Sequence, residues 1–376
     1  MLTARLRPII ESMLLEEQTG FRKGRSCADN IFVMKQIIEK RREWNQATFI
    51  VFIDYVKAFD RVIRNKLWEI MDRRGIPKHL ILVLRNLYNK TQICIKIDSK
   101  IVSEYTNMGV RQGCSLSPIL FNLYIDDAIR IWKRKLLQLG FSNDLNSDNF
   151  VMTLLFADDQ VIVSNSEDIS QRALFELQKI MEQYNLEIST NKTESMAFCG
   201  SSQVRCKLVV NNTTIRQVNQ FKFLGCKLSP FLEADIKYKT ETFNRICGTI
   251  SRTLKNRARK ETILKFYKTM AIPAGLYGAE SWVLTSKDKN RIQASEMRFL
   301  RSVVGVTRRD QVRNEDIRQS LKICSLNHKI TKYRENWKSH IERMDNDRIP
   351  KSIYKYQPNG FRRIGRPKKR WKDQES

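Results

Sequence analysis

The spacing of apolar positions changes repeatedly along the first 230 residues, and each change predicts an element. TFIVFID (48–54) is an unbroken apolar run ended by a carboxylate, which predicts a buried strand with Asp54 at its C-terminal end. Residues 65–74 return to helical spacing and stop at Gly75. Pro77 opens a further helix with the stripe Leu80, Ile81, Leu84, Leu87 and Tyr88. Short runs at 93–97 and 101–105 predict a hairpin around Asp98–Lys100. In GVRQGCSLSP (109–118), Ser117 reads as an N-cap and Pro118 as the first residue of a helix continuing through ILFNLYIDDAIRIWKRKLL. Two β-rich runs, 151–156 and 160–164, flank Ala157-Asp158-Asp159 as a tight hairpin. A helix at 167–184 follows, with Leu174, Leu177, Met181 and Tyr184 on one stripe, then short strands at 186–188, 194–198, 207–210 and 221–228.

After about residue 231 the pattern turns to long helices, at 232–256, 260–271, 287–303, 314–323 and 327–344. FRRIGRPKKRWK (361–372) is poor in apolar residues and is expected to be flexible. The layout is a mixed α+β first part and an all-helical second part.

Charge sharpens this division. Residues 1–200 carry 28 Lys/Arg against 24 Asp/Glu, whereas residues 201–376 carry 40 against 16, so nearly all of the +28 lies in the helical part. A polyphosphate is the natural partner of such a half. An anionic membrane fits less well, because aromatic and basic residues are interspersed rather than split between two faces. No apolar run approaches the ~18 residues of a membrane helix. The eight cysteines are scattered without a CxxC, so no zinc site is expected.

Candidate chemistry rests on carboxylates at strand ends. Asp54 closes one apolar run, and Asp158–Asp159 lie between two others, where a turn would aim them off the sheet edge. Mg²⁺ takes hard oxygen ligands and shares them with phosphates. A pair of such ions about 3.5–4 Å apart serves nucleotidyl transfer. A second acidic pair, Asp126–Asp127, lies within a helical stretch and reads as helix surface. His79, His328 and His340 have no paired nucleophile, so histidine acid–base catalysis is not expected.

From Gly20 onward the chain resembles the reverse transcriptases of non-LTR (long interspersed element-type) retrotransposons. The resemblance is carried, in family order, by QTGFRKGRSCADNIF (18–32), FIDYVKAFDRV (52–62), GVRQGCSLSPILFNLYIDD (109–127), LLFADDQVIV (154–163), LEISTNKTE (186–194) and FKFLGCKLS (221–229). YKTMAIPAGLYGAESWVLT (267–285) and GRPKKRW (365–371) favour the retrotransposon branch over a maturase-like or telomerase-like relative. The resemblance implies a right-hand polymerase: partial fingers at 1–50, palm at 51–230, helical thumb at 231–310 and a basic nucleic-acid-binding extension at 311–376. The implied reaction is attack of a primer 3′-hydroxyl on a deoxynucleotide's α-phosphate, directed by RNA.

The same resemblance assigns residues. Asp54 and Asp158, with Asp159 auxiliary, would hold two Mg²⁺ ions, with Mn²⁺ as a substitute. Lys192 would protonate the leaving pyrophosphate, and Phe59 would crowd the sugar 2′-position. Gln112 and Gly113 would line the nucleotide and template, and one or more of Arg22, Lys23 and Arg25 would meet the triphosphate. Phe223, Leu224 and Gly225 would grip the primer end. The implied partners are an RNA template, a DNA primer, their RNA–DNA hybrid and dNTPs, without a membrane. The expected location is nuclear or cytoplasmic, with the nucleus favoured; Pro367–Arg370 reads either as a nuclear localisation signal or as a phosphate-binding patch. The chain begins about 17 residues before QTGFRKGRS. It is therefore expected to lack an upstream endonuclease and part of the fingers. The alternative is a catalytically inactive, truncated remnant that only binds nucleic acid.

Overall fold

A computed structural model describes residues 2–98, 100–230, 233–360, 362 and 369–373. It divides into two compact units, residues 1–30 with 46–218, and residues 31–45 with 219–376. This division cuts the chain differently from the four segments expected from sequence. Residues 31–45 count with the C-terminal part, and the cut falls after Val218.

The first unit begins with α1 (Leu2–Glu11) and the first turn of α2 (Cys27–Glu43). Then come β1 (Ala47–Ile53), α3 (Arg64–Arg73), α4 (Lys78–Tyr88), β2 (Gln92–Ile97), β3 (Lys100–Tyr105) and α5 (Ser117–Gln138). β4 (Val151–Phe156), β5 (Asp159–Ser164) and α6 (Glu167–Gln183) follow, then β6 (Glu194–Cys199) and four two-residue strands, β7 (Ser202–Gln203), β8 (Val209–Val210), β9 (Thr213–Thr214) and β10 (Arg216–Gln217). The main sheet has the order β10-β6-β1-β5-β4, with β7 paired to β6. β6, β1, β5 and β4 are antiparallel, and β10 runs parallel to β6. All of β1 after Ala47 is buried, which is why its sequence is unbroken rather than alternating. α6 lies against β1, β4 and β5, and α5 packs on α6. The stripe residues Leu174, Leu177, Met181 and Tyr184 are buried there, with Leu120, Phe121, Leu123 and Tyr124 of α5.

Several sequence readings need correction. Ser117 is not the cap of α5 but its first residue, after Leu116, and its hydroxyl donates to the Arg111 carbonyl. Leu87 leaves the α4 stripe and is 40% exposed. Residues 186–188 form no strand; Ile188 makes one bridge to Tyr55. Asp126–Asp127 is helical but not surface. Both residues are buried, because the end of α3 brings Arg73 and Arg74 against them.

The second unit contains the rest of α2, a hairpin of β11 (Phe221–Phe223) and β12 (Cys226–Leu228), and then helices. The single strand expected at 221–228 is thus two strands joined by a two-residue turn. α7 (Glu233–Leu254) and α8 (Lys260–Phe266) are followed by a π-helical turn, Tyr267–Ala271, and α9 (Ile272–Leu276). The helix expected to end at 271 therefore continues. The wider turn lies just before Pro273, whose ring would clash with a regular preceding turn. α10 (Ser286–Val304), α11 (Asn314–Leu321), α12 (Leu326–Arg343) and α13 (Ile349–Lys355) complete the unit. Tyr267 stacks on Phe299 at 5.0 Å in its core.

The terminal segment is not uniformly loose. Trp371 is 3% exposed and sits edge-on to Phe32 at 5.0 Å. Its indole N–H donates to the Glu280 carbonyl, and its backbone N–H donates to Glu39. Arg370 pairs with Glu43. Pro367 and Lys368 lie outside the described residues.

Candidate active site

Strand register brings the acidic residues together. β1 and β5 pair Ile53 with Gln160, so the next position in that register sets Asp54 across from Asp159. On the other side of β1, Phe52 pairs with Glu194 of β6, and the same register carried two residues on sets Lys192 across from Asp54. Lys192 Nζ lies 3.4 Å from Asp54 Oδ2. β4 and β5 pair Phe156 with Asp159, leaving Ala157–Asp158 as a two-residue turn with Ala157 at φ 58°. Three carboxylates and one ammonium thus gather at one end of the sheet.

The loop after α6 braces this end. The Ser189 N–H donates to the Asp54 carbonyl at 2.8 Å, and the Asp54 N–H donates to Thr193 Oγ1 at 3.3 Å. Beneath it, the buried Tyr55 hydroxyl donates to Gln160, whose amide donates to Thr153. Burial, then the Asp158 charge, raises the Tyr55 phenol, so it stays a hydrogen-bond donor.

The electrostatics are those of crowded like charges. Desolvation and the Asp54 carboxylate raise Asp158, against its own backbone N–H and Lys192. Desolvation, then Asp158 and Asp54, push Asp159 up to about 6. Asp54 Oδ2 is buried and accepts no hydrogen bond. Three crowded carboxylates, with the Lys192 ammonium 3.4 Å from Asp54 Oδ2 as their nearby cation, offer hard oxygen donors of the kind that suit a divalent cation. Their spacing is not that of a finished site. Among the described residues, no three Asp, Glu, His or Cys side chains stand close enough to enclose a metal ion.

A clamp missed by sequence reasoning holds the Ala157–Asp158 turn. Gln18 is buried; its Oε1 accepts from the N–H groups of Ala157 and Gly20, and its Nε2 donates to the Ala157 carbonyl. Gly20 fits because a Cβ there would meet Ala157 N at 2.3 Å. The available signal was QTG at the head of the finger segment, which named the stretch but not its partner.

Other assigned residues fall in different settings. Phe59 is half-buried and stacks on Phe121 of α5 at 4.3 Å, and its carbonyl accepts from the Val110 N–H. Gln112 and Gly113 are exposed, and Gly113 has φ 80°, which favours glycine. Arg22 departs from the expected triphosphate role. Its guanidinium binds Glu11 Oε1 and the carbonyls of Leu15, Gln18 and Glu11, and its side chain is 6% exposed. It braces the loop against α1 instead. Arg25 pairs with Glu16, and Lys23 is exposed.

In the second unit, Leu224 (φ 44°) and Gly225 (φ 80°) form the hairpin turn after the buried Phe223. Lys239 donates to the Gly225 carbonyl, and its Nζ lies 4.6 Å from the Tyr277 ring centroid.

Strand register thus collects three carboxylates and a lysine at one end of the main sheet. The chain belongs to the reverse transcriptase (RNA-dependent DNA polymerase) family, whose model matches residues 1–228. It is 22% identical over 364 residues to the probable RNA-directed DNA polymerase from transposon X-element of Drosophila melanogaster, covering 91% of this chain and 38% of that protein. It is 25% identical over 239 residues to the Pol polyprotein of the type-1 retrotransposable element R2 of Nasonia vitripennis, covering 60% of this chain and 22% of that one. This chain therefore spans less than half the length of either relative. Among solved structures, telomerase from Candida albicans, in complex with a fragment of telomeric RNA, aligns over 95% of this chain and 58% of that one, at 13% identity and a TM-score of 0.45.

Proposed function

We propose that this chain is the RNA-directed DNA polymerase part of a non-LTR retrotransposon protein, acting in the nucleus. The observation that carries the reading is the meeting of Asp54, Asp158 and Asp159 at one sheet end, inside the segment matching the family. In this reading residues 51–230 are palm, 1–50 partial fingers, 231–310 thumb and 311–376 a basic extension. Its partners are an RNA template, a DNA primer, the hybrid between them and dNTPs.

The three carboxylates would hold Mg²⁺, or Mn²⁺ in its place; divalent metal there supplies neutralisation of the triphosphate and a more acidic primer hydroxyl. The chain's own residues do the positioning, the larger share of catalysis in phosphoryl transfer. Lys192, 3.4 Å from Asp54, is placed to deliver a proton to the departing pyrophosphate. Phe59, fixed by its stack on Phe121, narrows the space for a sugar 2′-hydroxyl. Gln112 and Gly113 offer an amide and an open backbone to the incoming base pair, and Phe223–Gly225 supports the primer end. Lys23 is the exposed basic residue of this segment and the first candidate for the triphosphate, with Arg25 available to it only by leaving Glu16.

Binding without catalysis is the second reading. It is favoured by the internal engagement of Arg22, which leaves one fewer basic group for a triphosphate. Primer extension separates the two, with oligo(dT) on poly(rA), Mg²⁺, dTTP and Asp158→Asn in parallel. Extension by the parent alone supports the polymerase. A parent that binds the hybrid without extending it establishes the second reading.

A further inference from the structure

The C-terminal ends of α3 and α5, with Leu15, line an open cleft of about 610 Å³. The size is that of a ligand cleft. Ser117 to Arg130 of α5 spans thirteen residues, or about 20 Å at ~1.5 Å per residue, which separates this cleft from the Gln112–Gly113 loop.

Its charge is unbalanced. Arg73, Arg74, Arg130, Lys133 and Arg134 face three carboxylates, Glu17, Asp126 and Asp127. Arg74 and Arg130 are bound to the buried Asp126, which anchors the floor. Arg73 pairs with Asp127, yet 63% of its side chain remains exposed. Arg134 is exposed and makes no ion pair among the described residues. Guanidinium forks held at fixed angles suit phosphate oxygens. The lining includes Leu15 and Leu137 but no aromatic ring on which a base could stack, so the cleft suits backbone rather than bases.

We propose that this cleft is a second nucleic-acid site that takes the phosphates of double-stranded RNA, such as a hairpin in the template outside the copied stretch. RNA helices are read by shape and phosphates. The inference rests on RNA being the strand this chain handles, but not on polymerisation.

The test is fluorescence anisotropy with a labelled RNA hairpin and a DNA hairpin of the same sequence, at about 0.15 M salt. Arg73→Gln/Arg134→Gln is compared with Lys78→Gln/Arg85→Gln, which removes two charges elsewhere. The expected result is roughly tenfold weaker RNA binding and a log–log salt slope shallower by about one to two, with an equal or smaller loss for the DNA hairpin, whose phosphates the same guanidinium groups can meet, and little change for the control pair. A loss no larger than the control's, or a loss confined to DNA, overturns the proposal. Arg134→Glu, which disturbs no ion pair, keeps the test valid if the double variant misfolds; unchanged RNA binding by it also overturns the proposal. Extension on poly(rA) is run alongside. Weaker hairpin binding by the variant, together with a parent that binds but does not extend the primer, would sink the polymerase reading while leaving this site standing.

Discussion

Asp158 is placed by a residue 139 positions before the turn it clamps. Gln18 satisfies both backbone groups of Ala157 through one amide, so Gln18→Ala leaves buried donors unmet. The expected cost is roughly 1–3 kcal/mol, read by urea denaturation, with a lower extension rate at saturating dNTP. Asp159 gives a pH prediction. Its folded pKa of about 6 lies above the ordinary aspartate value of about 3.8, so the folded state binds this proton more tightly. Metal-free stability attributable to this group is full below about 4 and falls as pH rises toward 6. Asp159→Asn should flatten that part of the melting-temperature profile, and Mg²⁺ should lower the carboxyl pKa seen by NMR. Asp54, Asp158 and Asp159 could be found in sequence because each borders an apolar run. Gln18 could not, because a polar side chain carries no sign of which distant backbone it will meet.

Elements bring a different error to light. Periodicity placed Asp126–Asp127 correctly on a helix but could not say that another helix ends against them. α3 supplies Arg73 and Arg74, and α5 supplies Arg130 one turn on. Tyr184 donates to Asp127, and Asp126 accepts from the Leu15 N–H. Hydrogen bonding from Tyr184 and the Arg73 and Arg74 charges hold Asp127 below the usual carboxylate range despite burial. Asp126→Ala strands Arg74 and Arg130 and should cost about 3 kcal/mol, the low end for a broken buried pair because Arg130 is partly exposed. Thermal melting in low and high salt checks this; a pair worth nothing would leave both curves unchanged. The turn at Leu224–Gly225 was likewise legible only as a strand, since Leu is an unusual residue at positive φ.

At the scale of the whole molecule, the helical part carries most of the net charge, while α2, far from it in sequence, carries the buried Glu39 and the half-buried Lys40. Burial pushes Glu39 up to about 7 against the pull of the Trp371 N–H, and burial lowers Lys40 to about 8. An unfolded chain ionises Glu39 earlier, so stability from this group falls as pH rises from about 4.5 to 7. It recovers between about 8 and 10.5, where only the unfolded chain still carries the Lys40 charge. Glu39→Gln should remove the acid limb in denaturation curves taken across pH. Trp371→Ala should cost about 3–5 kcal/mol and expose the terminal segment to proteases, measured by limited proteolysis. A cleavage pattern like the parent's would refute that anchoring. Composition alone marked this terminus as loose, because one tryptophan among basic residues gives no period to read.

Sequence by itself determined most of the strands and helices between β1 and α12, the separation of an α+β part from a basic helical part, and which carboxylates end strands. These are local properties, written in the period of apolar positions and the count of charges. Tertiary structure alone decided which side chains meet: Lys192 beside Asp54, Gln18 under the Ala157–Asp158 turn, Arg73 and Arg74 over a buried acidic pair, and Trp371 in an aromatic slot. Such contacts join positions far apart in the chain, and a polar or aromatic residue acquires its partner only when packing has brought the two surfaces together.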